Sequence, residues 1–106
     1  MDRPLKVKEL FTDESRWTTG SYARDTYGTN VEINHPGVDC WCLMGALMFV
    51  YQYEPEYYNN VKKIDEYLRN NKGFKGAFSP MTNITTWNDT AAKFQDVKEL
   101  VEELDI

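Results

Sequence analysis

The stretch VDCWCLMGALMFVYQY, residues 38–53, constrains the fold of this chain more than any other. Between residues 40 and 51 it is apolar on every side of a helix, and a helix with no polar face has to lie surrounded by other elements. The spacing predicts a central helix near residues 39–53, capped by Asp39 after the His35-Pro36-Gly37 break and ended by Pro55. Gly45 in its middle costs about 1 kcal/mol against alanine, so another part of the chain is expected to approach closely there. The run falls short of the roughly 20 residues that a bilayer crossing needs, and no membrane partner is expected.

The rest of the chain supplies what surrounds that helix. Leu5, Val7, Leu10 and Phe11 suggest a short first helix, with Asp2 placed to cap it before Pro4. Residues 17–24 and 29–33 are rich in Thr, Tyr, Val and Ile and read as two strands of a hairpin, joined at Asp25-Thr26-Tyr27-Gly28. Tyr57, Val61, Ile64 and Leu68 recur at i, i+4, i+7 and i+11, the clearest amphipathic helix in the chain. Residues 72–89 read as a loop, with a short extended piece near 81–86, because they carry two glycines and a proline. Asn88 or Asp89 is then placed to cap a last helix through Phe94, Val97, Leu100, Val101 and Leu104. The expected fold class is α+β: a compact single domain over residues 1–106, of about four helices with one β-hairpin.

At 106 residues the chain is long enough for one core without disulfides or metal. Its 17 acidic and 12 basic side chains leave a net charge of −5, which disfavours a domain built to neutralise nucleic-acid phosphates. The start MDRPLKVKEL has no apolar leader, so a cytoplasmic location is expected, where both cysteines stay reduced.

Cys40-Trp41-Cys42 invites a metal or redox reading. On a helix, positions i and i+2 point about 200° apart, so both thiols cannot face one ion, and His35 is the sole histidine. The motif is expected to be the buried start of the core helix, with no metal and no cofactor. A thiol paired with His35 is the one enzymatic alternative.

Two polar groups remain. Arg24-Asp25 and Asn88-Asp89 each have a structural role to play, in a turn and a cap; if their loops converge, Arg24 could bind a carboxylate or phosphate. Tyr51, Tyr53, Tyr57 and Tyr58, with Glu54 and Glu56 between them, are denser in tyrosine than packing requires. Tyrosine favours interface cores, because its ring buries area while its hydroxyl still finds a partner.

Trp17, Gly20, Ala23, Arg24, Asp25 and Gly28, then Trp41, Cys42, Gly45 and Ala46, then Asn88 and Asp89, fall in a pattern W-x-x-G-x-x-A-R-D-x-x-G, W-C-x-x-G-A and N-D. That pattern resembles a family of small uncharacterised proteins of bacteria and their phages. The resemblance implies a fold unit and no activity, and favours Cys42 over Cys40 as the cysteine the fold needs. The Tyr- and Asn-rich helix and Lys-rich loop depart from it, as an AT-rich phage genome would produce.

The leading expectation is a small intracellular protein-interaction module, phage-encoded, that inhibits a host defence protein by direct binding through Tyr51, Tyr53, Glu54, Glu56, Tyr57 and Tyr58. A nucleotide-like ligand held by Arg24, Asp25, Asn88 and Asp89 is the alternative. Self-association as a homo-oligomer is compatible with either.

Overall fold

The structure, a computed structural model, describes residues 6–52 and 54–106. Asp2, Pro4, Leu5 and Tyr53 lie outside the described residues. The elements run α1 (Val7–Leu10), β1 (Ala23–Asp25), β2 (Val38–Trp41), α2 (Leu43–Tyr51), α3 (Pro55–Asn71), α4 (Pro80–Thr86) and α5 (Phe94–Glu103). A 3-10 turn covers Glu14–Arg16, and a π turn, Trp87–Ala91, extends α4. This is the expected α+β class, with α4 as a helix beyond the expected set.

α2 is the centre. Every residue from 41 to 51 is buried except Phe49, which is half-buried. α1, α3 and α4 pack around it, and α3 buries Tyr57, Val61, Ile64 and Leu68 along one face as their spacing required. α5 closes the core with Val97, Leu100 and Val101, and Ile106 is buried beyond its end. The close approach expected at Gly45 comes from Tyr22: a Cβ there would stand 2.0 Å from the Tyr22 carbonyl oxygen.

Four local expectations are corrected. The turn at residues 25–28 forms: Gly28 takes φ 82° and donates to Asp25 O, and the Asp25 carboxylate accepts from Tyr27 N and Thr29 N. Its second leg makes only an isolated bridge, Arg24 to Asn30. The strand partner of Ala23–Asp25 is instead Val38–Trp41, antiparallel, with Ala23 opposite Trp41 and Arg24 opposite Cys40. Residues 29, 30 and 32 are exposed, whereas Trp41 buries its ring, so the later segment gains more by pairing.

The central helix consequently begins later. Cys40 and Trp41 are strand, Asp39 is ion-paired with Arg16 at 3.1 Å, and Cys42 is the cap, its Sγ accepting from Gly45 N. Residues 80–86 are helical, not extended, because Pro80 occupies a first-turn position that suits proline while Asn83 and Ile84 are buried. Asn88 and Asp89 do not cap α5; Lys93 N donates to Asp96 in that role.

Candidate binding face

A π turn carries one residue more than an α turn, and here it allows two neighbours, Trp87 and Asn88, to be buried together. Asn88 is fully enclosed and uses both ends of its amide. Oδ1 accepts from Trp17 Nε1 at 2.7 Å and from Leu43 N at 3.1 Å. Nδ2 donates to Thr18 O at 3.1 Å and to Asp89 Oδ1 at 2.9 Å. Leu43 is the first residue of α2, so Asn88 satisfies one of the orphan N–H groups at the start of that helix from 45 positions away. Asp89 Oδ1 also accepts from Gly20 N at 3.1 Å. One side chain thus ties the loop of residues 17–20, the α2 start and the π turn together.

Arg24 is committed to that loop. Its guanidinium donates to Thr18 Oγ1, Thr19 O, Gly28 O and Asn30 Oδ1. Asp25 is occupied in its turn, as described above. Of the four residues expected to hold a nucleotide-like ligand, only Asp89 lines a concavity described below.

The tyrosine cluster divides. Tyr51 is buried, its hydroxyl donating to Ile106 O at 2.7 Å, and Tyr57 is buried at 1 % exposure with its ring 4.9 Å from that of Tyr58. These two belong to the core. Glu54, Glu56 and Tyr58 are exposed and remain presentable to a partner.

Both thiols favour the neutral form. Burial pushes Cys42 up to about 11 and raises Cys40 as well, which removes the thiolate that nucleophilic chemistry needs. His35 Nδ1 accepts from Gly37 N in its own turn. Among the described residues no three His, Cys, Asp or Glu side chains gather as a metal site.

Sequence reasoning passed over a different surface. Phe78 is 100 % exposed, and Tyr22 and Met81 are partly so. Phe78 does not sit on a loose loop. Asp65, itself 8 % exposed, takes both of its carboxylate oxygens to Arg69 Nε, at 3.0 and 2.9 Å. Arg69 Nη2 then donates to Ala77 O and Phe78 O. Buried Asn83 completes the relay: Nδ2 donates to Asp65 and Phe74 O, and Oδ1 accepts from Gly76 N and Ala77 N. A signal for this exists in the sequence, Asp65 and Arg69 at i, i+4 on α3, but the loop they hold does not announce itself.

Three concavities adjoin the half-exposed Tyr22. One of about 650 Å³ runs past Val31, Glu32, Ile33 and Met48. A second, about 290 Å³, is lined by Gly20, Ser21, Asn30, Cys42, Thr85 and Asp89. A third leads along Ser79, which follows Phe78 in the chain, Met81, Thr82 and Thr85. Among the described residues no helix is long and apolar enough to cross a membrane.

Fold and face together define a small α+β domain with a buried polar scaffold and a pinned, partly apolar face. The chain belongs to DUF6197, a family of unknown function, whose model matches residues 6–104. Comparison with the curated proteins and with the solved structures finds no match.

Proposed function

We propose that this chain is a protein-interaction module that binds a partner protein directly, through the face bearing Tyr22, Phe78 and Met81. The observation that carries the reading is Phe78: a fully exposed aromatic ring whose backbone is pinned by a partly buried Asp65–Arg69–Asn83 relay. An exposed phenylalanine does nothing for folding. Holding its backbone in place lowers part of the ordering cost of binding, and aromatic residues dominate the energy of interfaces. The neighbouring concavities offer a partner both apolar wall and polar rim.

In its narrower form the proposal makes the chain a phage-encoded, cytoplasmic inhibitor that occludes a host defence protein. The abundance of Lys, Asn and Tyr supports that form. A nucleotide-like ligand has less support, because none of the residues lining the three concavities is Lys or Arg.

The test is capture of partners by the tagged chain beside a Phe78→Ala variant and a Tyr58→Ala variant. Phe78 is wholly exposed, so its truncation leaves stability within about 0.5 kcal/mol. The reading expects one saturable partner, lost with Phe78→Ala and kept with Tyr58→Ala. Undiminished binding by Phe78→Ala would remove this face from the function.

A further inference from the structure

The concavity beside Asp89 holds about 290 Å³, the small end of ligand pockets, which run from about 300 to 1,000 Å³. One side chain fits within that volume. Asp89 brings the only formal charge to its lining. The carboxylate is oriented in advance: Oδ1 accepts from Gly20 N and Asn88 Nδ2, while Oδ2 receives no donor among the described residues. Tyr22 forms part of the wall, half exposed, and also lines the third concavity with Met81 and Ser79, the residue that follows Phe78 in the chain.

The first concavity carries Glu32 beside His35, and the third carries no formal charge. No lysine or arginine lines any of the three. Arg24 lies beside the Asp89 lining, its Nη2 3.4 Å from where a Gly20 Cβ would stand, but its N–H groups are taken by Thr18, Thr19, Gly28 and Asn30. A tyrosine and a half-free carboxylate in one lining match a planar guanidinium, which stacks on rings and donates in a fork.

We propose that this pocket receives an arginine side chain of a partner protein, its guanidinium against Tyr22 and Asp89 Oδ2, with flanking apolar residues of the partner on Met81 and Phe78. The inference rests on the protein-binding reading and adds the chemistry of the partner to it.

The test is titration of the 15N-labelled chain with N-acetyl-argininamide, with its neutral isostere N-acetyl-citrullinamide, and with a short peptide carrying leucines on both sides of one arginine. Saturable shifts are expected at the amides of Gly20, Ser21, Asn30, Thr85 and Asp89. The citrulline probe should bind at least tenfold more weakly, and the peptide at least tenfold more tightly, than N-acetyl-argininamide. Asp89→Asn keeps an acceptor for Gly20 N and removes the charge, so it should abolish the discrimination between the two small probes.

Equal affinity for arginine and citrulline probes, or no shift at these amides, overturns the proposal. Equal affinity for peptide and N-acetyl-argininamide also overturns it, in favour of a free guanidinium ligand. Concentration-dependent shifts at the same amides without any probe would assign the face to a second copy of this chain instead. Capture that is lost with Phe78→Ala but kept with Asp89→Asn removes the arginine pocket while leaving the protein-binding reading in place.

Discussion

Replacing Asn88 by alanine tests the scaffold at its centre. The substitution deletes four hydrogen bonds of 2.7 to 3.1 Å and strands their partners. Leu43 N is buried, and an unsatisfied buried donor costs about 1–3 kcal/mol. Trp17 and Thr18 are half-buried, so water recovers part of what they lose. The sum is about 3 kcal/mol, equivalent to a fall in Tm of about 12 °C for a domain of this size. Urea unfolding followed by tryptophan fluorescence reads the loss directly. Asn88→Asp is the companion: it keeps the acceptor but buries a carboxylate beside Asp89. The folded-state pKa of that carboxylate lies above its unfolded value, so the variant should lose stability as pH rises above about 4. A loss below about 1 kcal/mol for Asn88→Ala would refute the claim that this amide joins the three segments.

Other consequences are independent of that site. Gly45→Ala gains about 1 kcal/mol of helix propensity but drives a Cβ into the Tyr22 carbonyl oxygen. Backbone cannot yield as a side chain can, so a net loss of at least about 2 kcal/mol is expected by urea unfolding. Cys42 is pushed up to about 11; the unfolded thiol releases its proton first, so its contribution to stability is intact below about pH 9 and is lost as pH rises toward 11. The wild-type chain should therefore lose about 2 kcal/mol more than Cys42→Ala between pH 8.5 and 11. Thiol labelling at neutral pH should reach Cys40 before Cys42, since Cys42 is the more deeply buried. Arg69→Lys retains the charge but loses the planar fork; 15N relaxation should show residues 76–78 more mobile, with partner binding weakened and the fold kept.

Local periodicity carried much of the fold. The Tyr57, Val61, Ile64, Leu68 stripe was legible because side chains on one helix face recur at 3.6 residues, whatever the helix packs against. The turn at Asp25 and Gly28 was legible for the same reason: its hydrogen bonds close within four residues. The partner of β1 was not. Residues 29–33 and 38–41 offer similar strand composition, and burial of Trp41 decides between them. That burial depends on α2 and Phe49, whose ring lies 5.0 Å from the indole.

The candidate face was hidden by the same limit. Tyrosine density drew attention to Tyr51 and Tyr57, yet whether a tyrosine faces a partner or the core depends on what lies across from it, and here that is Ile106 and α4. Asn88-Asp89 has the composition of a helix cap, but the π turn directs Asn88 inward to a helix start far away in sequence. Nothing local marks Phe78 as held.

By itself the amino-acid order determined a central apolar helix, an amphipathic α3, a final helix with Val97, Leu100 and Val101 inward, and a net charge of −5. These are properties of nearest neighbours and of summed charge. Only the tertiary structure decided which strand pairs with Arg24, that Arg24 is consumed by its own loop, that Asn88 satisfies Leu43 N at the start of α2 and that Phe78 stands in the open with its carbonyl held by Arg69. A buried hydrogen bond needs a donor and an acceptor delivered to within about 3 Å, and for segments tens of residues apart that meeting is arranged by the packing of the whole domain.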